Sequence, residues 1–142
     1  MPTRTASATW KGGLKNGSGH FSGASGLGGD YTAGSRFGEG QGLNPEDLLA
    51  AAEASCFSMA LSGALDRNGT PATQIDTTAH CTVERVGEGF TITKMHLDVR
   101  AEVANIDDDT FQKLATATRD GCPVSRALKG NVDLQVTAAL TR

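Results

Sequence analysis

The stretch "NPEDLLAAAEASCFSMALSGALDRNGTP", residues 44–71, constrains this chain more than any other segment. Asn44 is a preferred N-cap residue and Pro45 fits the first helical position. Glu46 and Asp47 complement the positive end of the helix dipole. The helix runs to about Asp66, where "RNGTP" stops it. It reads as an amphipathic or buried helix with Cys56 in its middle. Free cysteine is among the residue types most often buried as a small hydrophobe. Two readings of Cys56 therefore stand at the outset: one more core residue, or a nucleophile.

The rest of the chain supplies what such a helix packs against. "IDTTAHCTVER", residues 75–85, alternates with Ile75, Thr77, Ala79, Cys81 and Val83 on one face and Asp76, Thr78, His80, Thr82 and Glu84 on the other. "VGEG" turns the chain and "FTITKMHLDVRAEV" returns as a second strand. Its apolar phase slips between Ile92 and Met95, which predicts a bulge near Lys94. "IDDDTFQKLATATRDG" is an Asp-capped helix, "CPVSRALKGN" a short helix ending at Gly130, and "VDLQVTAAL" a closing strand.

The first 43 residues are rich in Gly, Ser and Thr. "ATWKGGLKNGSGHFSG" predicts a hairpin with Asn16-Gly17 as a primed turn. "GASGLGGDYTAGSRFGEGQG" reads as extended or looped, with a short strand around Tyr31 and a flexible "GEGQG" after Arg36. The order, β-β-(β)-α-β-β-α-α-β, points to an α+β fold with antiparallel sheets. At 142 residues one domain, 1–142, is expected.

Several function classes are excluded. Acidic residues number 16 against 13 basic, with no basic run, so nucleic acid is not an expected partner. "MPTRTASATWKGG" has no apolar core of a secretory signal, and no apolar run approaches the ~18 residues of a membrane span. A soluble, cytoplasmic protein with no membrane partner is expected. Cys56, Cys81 and Cys122 form no C-x-x-C, and His20, His80 and His96 have no ligand spacing. Neither a metal nor a zinc-binding role is expected.

The cysteines differ in surroundings. Cys81 lies on the apolar face of a strand and reads as inert. Cys122 precedes Pro123 near the start of a helix, where free N–H groups of Val124 and Ser125 favour a thiolate. Cys56, mid-helix, gains nothing from the dipole and needs an outside cation, for which Arg36 is the candidate. Glu53 is one turn from Cys56. Glu46 lies ten residues upstream, about 15 Å away at ~1.5 Å per residue. Two antiparallel copies of the helix in a dimer can bring Glu46 to Cys56 where one copy cannot.

The segments "ATWKG", "RFGEGQGLNPEDLLAAAEASCFSMALS", "FTITKMHL" and "GCPVSRALKGNV" resemble the family of osmotically inducible protein C (OsmC) and the organic hydroperoxide resistance proteins (Ohr) over nearly the whole chain. The part around Cys56 is closer to the OsmC branch. The resemblance implies an intertwined homodimer with two central helices packed on β-sheets. It implies a cysteine-based peroxidase without metal, flavin or other cofactor. Carried over residue by residue, Cys56 matches the peroxidatic cysteine and Cys122 the resolving one. Arg36 matches the arginine that activates the thiolate, and Glu46 the glutamate that holds that arginine. Glu53 and Cys81 match no family role.

The activity so implied is reduction of organic hydroperoxides, and more weakly of hydrogen peroxide. It proceeds through a Cys56 sulfenate and a Cys56–Cys122 disulfide, reduced by an external dithiol such as a lipoylated protein. Phe57, Met59 and Leu49 can line a pocket for the organic group or serve as core. The alternative is a non-enzymatic redox sensor or stress-response binding protein that uses the same pair as a reversible switch. Local physics favours Cys122 as the thiolate, whereas the resemblance makes Cys56 the attacker.

Overall fold

The computed structural model describes residues 1–38, 40 and 42–141. The chain divides into two compact units, Met1–Leu48 and Leu49–Arg142. The "GEGQG" expectation falls in part on Glu39 and Gln41, which lie outside the described residues.

In the first unit, β1 (Ala6–Lys11), β2 (Ser18–Gly23) and β3 (Gly28–Tyr31) form an antiparallel sheet in that order. Tyr31 packs between Trp10 and Phe21, with ring centroids 5.7 and 5.9 Å away. Gly19 permits this. A Cβ there would stand 2.6 Å from the Tyr31 ring.

The β1–β2 connection is not the primed Asn16-Gly17 turn. Lys11 pairs with Ser18, leaving residues 12–17 as the loop. The positive φ falls on Gly12 (91°) instead. Gly17 N–H closes the loop on Gly13 O at 2.8 Å, and the Trp10 indole N–H donates to Gly12 O at 3.0 Å.

A short helix, α1 (Ala33–Phe37), occupies sequence read as extended or looped. Thr32 and Ser35 form a reciprocal cap: Ser35 N–H donates to Thr32 Oγ1 at 3.1 Å and Thr32 N–H to Ser35 Oγ at 2.9 Å. Two capping residues outweigh the surrounding glycines, and they fix the position of Arg36.

The long helix α2 (Pro45–Arg67) starts where its cap predicts. Asp47 N–H donates to Asn44 Oδ1 at 2.8 Å and Asn44 N–H returns to Asp47 Oδ2 at 3.2 Å. Asn44 also donates from Nδ2 to Ser35 O at 3.1 Å, tying the helix start to α1. Beyond the helix, Gly69 takes φ +80°.

In the second unit, β4 (Ala72–Val86) and β5 (Gly89–Val103) form an antiparallel hairpin. The bulge lies beside the expected residue. Thr82 pairs with Lys94 and Val83 with Ile92, so Thr93 is the extra one. Helices α3 (Asp108–Gly121) and α4 (Pro123–Leu128) follow, and then β6 (Asp133–Leu140).

The expectation of antiparallel sheets needs one correction, because β6 pairs parallel to β5. The α3–α4 crossover is long enough to return the chain in the same direction, which a hairpin cannot do. The α+β class stands.

The core joins the two kinds of periodicity. Phe57, Leu61 and Leu65 on α2 and Phe111 and Ala115 on α3 meet Leu97, Val99, Ala101 and Val103 on β5. Each large apolar side chain fully buried in this way contributes about 1.5–3 kcal/mol. Ser58 Oγ donates to Thr77 Oγ1 at 2.7 Å, a polar tie between α2 and β4.

At 23 residues, α2 is long and apolar enough by composition to cross a bilayer. Its serines and Glu53 interrupt the apolar run in sequence without making the helix polar on average. Only 22% of its most apolar stretch is buried within this chain.

Candidate active site

Two clusters hold the candidate residues, one in each unit. In the first, Arg36 on α1 meets Glu46 in the first turn of α2. Arg36 Nε and Nη2 both donate to Glu46 Oε1, at 3.1 and 2.9 Å, and Nε also reaches Oε2 at 3.3 Å. Glu46 is buried while Arg36 keeps 37% of its side chain exposed. The carboxylate is therefore consumed in holding the guanidinium, whose open edge stays accessible.

The Arg36 guanidinium lies 5.0 Å from the Phe37 ring centroid. A cleft of about 510 Å³ opens beside it, lined by Trp10, Leu14, Tyr31, Arg36 and Phe37 among others. It combines aromatic walls with one cation.

In the second cluster, Cys56 on α2 and Cys122 at the start of α4 come together. The Cys56 side chain is close enough to act on the Cys122 thiol. Cys56 is partly exposed, whereas Cys122 is 2% exposed. Both are free thiols. Cys122 caps α4, with its sulfur 3.4 Å from Ser125 N–H and 2.9 Å from Ser125 Oγ.

Ser125 Oγ donates in turn to Glu53 Oε1 in a short hydrogen bond. Glu53 Oε1 is also 3.6 Å from the Cys122 sulfur. Glu53 is fully buried, and its Oε2 has no hydrogen-bond partner. An unsatisfied buried polar atom costs on the order of 1–3 kcal/mol, more when charged.

The Cys122 thiol is pushed up from its ordinary pKa. Burial is the largest cause, and the two Ser125 hydrogen bonds pull the other way without prevailing. A contact in which the Cys122 thiol donates to Cys56, and the negative charge of Glu53, add to the rise. The expectation that the N-cap position favours a Cys122 thiolate is thus overturned. α4 is only six residues long, and its dipole cannot offset a desolvated sulfur beside a carboxylate.

Residues 38–137 match the family described as OsmC-like protein. The chain belongs to the OsmC-like family. Peroxiredoxin OsmC of Escherichia coli strain K12 is 43% identical over 129 residues, covering 89% of this chain and 90% of the relative. The organic hydroperoxide resistance protein of Xanthomonas axonopodis pv. citri is 31% identical over 102 residues, 70% of this chain and 69% of that one.

Among solved structures, the organic hydroperoxide resistance protein OhrB of Bacillus subtilis superposes with a TM-score of 0.74 at 28% identity, covering 95% of this chain and 98% of that one. The names of these relatives support a peroxidase-like role for this OsmC-like protein.

Within this family member, Arg36 is ion-paired with Glu46, and Cys56 acts on Cys122. Cys81 sits apart, on β4 opposite Met95. Phe57, a candidate pocket residue, is wholly taken by the core, and Met59 is 77% exposed. Sequence reasoning named the Ser125 N–H but missed its hydroxyl and the partners of Glu53. The i, i+3 spacing of Cys122 and Ser125 across a helix start was the available signal for the first. Nothing local signals the second.

Proposed function

We propose that the chain is a thiol-dependent peroxidase. It reduces organic hydroperoxides, and hydrogen peroxide more slowly, to an alcohol or water. The observation that carries this reading is the interacting pair of one partly exposed and one buried thiol, Cys56 and Cys122. Such a pair suits successive attack and resolution. Cys56 meets peroxide first, because Cys122 is buried and held protonated.

The Cys56 thiolate attacks the terminal peroxide oxygen and the O–O bond breaks. The alcohol or water leaves and Cys56 becomes a sulfenic acid. Cys122 then displaces the hydroxyl as water, forming the disulfide. An external dithiol, such as a lipoyl group, restores both thiols by exchange. The cytoplasm, where such reductants keep thiols free, is the compartment this cycle requires.

Arg36 supplies the charge that activates the peroxidatic thiolate and binds the peroxide, with Glu46 aligning it. On one helix Glu46 and Cys56 are separated by about 15 Å at ~1.5 Å per residue, so we assign the pair that serves Cys56 to a second copy of the chain. The thinly covered apolar surface of α2, including Met59 at 77% exposure, supports a homodimer built on that helix. The cleft beside Arg36 supports an organic substituent on the peroxide.

Peroxide consumption with a supplied dithiol tests the reading. Many turnovers per chain, faster with cumene hydroperoxide than with hydrogen peroxide, are expected. Oxidation that stops at one equivalent per chain with several dithiols would instead establish a reversible switch.

A further inference from the structure

The covalent chemistry of two cysteines needs no third residue, yet Glu53 is fully buried against Cys122 with one oxygen unpartnered. We propose that Glu53 is the base of the resolving step, taking the Cys122 proton through the Ser125 hydroxyl as the sulfur attacks oxidised Cys56. This rests on the peroxidase reading and adds a residue to it.

The hydrogen bonds set the direction of transfer. A serine hydroxyl has one proton to give, and Ser125 gives it to Glu53 Oε1. With that proton given to Glu53 Oε1, the serine lone pairs are open to the Cys122 thiol 2.9 Å away, in a contact where either atom can donate. The chain runs thiol to hydroxyl to carboxylate. Among the described residues, Glu53 and Cys56, both on α2, are the titratable groups that act on Cys122. A buried carboxylate without a cation is expensive to maintain, and active sites are where that expense is found. Burial, with the same negative charge adding to it, keeps Cys122 a thiol at rest, so its proton leaves only as the new bond forms.

The step balances. The Cys122 sulfur bonds to the Cys56 sulfur while the Cys56 S–O bond breaks. Cys56 sulfur is reduced from the sulfenic state and Cys122 sulfur is oxidised. The Cys122 proton passes to Ser125, whose own proton passes to Glu53. The departing hydroxyl takes up a proton and leaves as water, and Glu53 gives up the one it received. Sulfenic acid plus thiol becomes disulfide plus one water.

The test is a single-turnover experiment on the full-length protein, mixed with one equivalent of cumene hydroperoxide and quenched over time. Mass spectrometry then measures the Cys56 sulfenate, trapped with dimedone, and the Cys56–Cys122 disulfide. The readout is the ratio of the disulfide-forming rate to the sulfenate-forming rate. For Glu53→Gln, that ratio is expected to fall ~100-fold near neutral pH, the scale of a lost general base. It should recover as pH rises, because solvent hydroxide then ionises Cys122; a merely structural loss would not follow pH in this way. Ser125→Ala should fall in the same direction, and it decides the matter alone if Glu53→Gln does not fold. Variants that match the wild-type ratio and pH profile overturn the role of Glu53 and leave the peroxidase reading intact. A wild-type protein that forms no Cys56 sulfenate, or never the Cys56–Cys122 disulfide, overturns both.

Discussion

The side chain of Cys56, in the middle of α2, acts on the thiol of Cys122 at the start of α4, although of the two only Cys56 has a face open to solvent. Two chemically identical groups thereby receive different accessibility. A brief pulse of iodoacetamide on the reduced protein at neutral pH should alkylate Cys56 at least about tenfold faster than Cys122, since only an exposed thiolate reacts. Peptide mapping reads the order, and faster labelling of Cys122 would reverse the division of roles.

Cys122 also links stability to pH. Its folded pKa is raised above the ordinary value of 9.0. The folded state therefore holds the proton more tightly than the unfolded state. The stabilisation is fully present below the ordinary value and is lost as pH rises through the higher folded one. The reduced protein should show a falling Tm above about pH 9. Cys122→Ser should lose less Tm over that interval, and an equal loss in both proteins would count against the assignment.

Arg36 is held through two of its nitrogens, so charge alone does not reproduce it. Lysine keeps the charge and loses the fork. Arg36→Lys and Glu46→Gln should each lower kcat/KM for organic hydroperoxide on the order of 100-fold, the scale of a misplaced catalytic group. Steady-state kinetics with excess dithiol checks this. Rates within twofold of wild type would remove the pair from the mechanism.

Phe57 adjoins Cys56 in sequence but belongs to the core, packed between α2 and the β5 face. Phe57→Ala should cost about 3–5 kcal/mol of stability, read by urea denaturation. A loss below about 1 kcal/mol, together with altered hydroperoxide preference, would mark it as a pocket residue instead.

What the sequence reveals and conceals follows from the range of the interactions. The start of α2 was legible because Asn44, Pro45 and Asp47 act on neighbouring backbone. The faces of β4 and the bulge near Lys94 were legible because alternation has a period of two. α1 was concealed because glycines surround the Thr32 and Ser35 that cap it. The parallel pairing of β6 was concealed because it depends on a crossover and on no local signal.

At the site, the cap position of Cys122 was visible but its burial was not, and burial reversed the expected pKa direction. Glu53, one turn from Cys56, had no assignable role because its partners, Ser125 and Cys122, belong to a different helix.

The most direct test of the account is the disulfide that forms when the reduced protein meets one equivalent of cumene hydroperoxide. Peptide mapping without reducing agent should find Cys56 joined to Cys122, with Cys81 still a free thiol. Cys56 left reduced, or a dominant disulfide involving Cys81, would contradict the account.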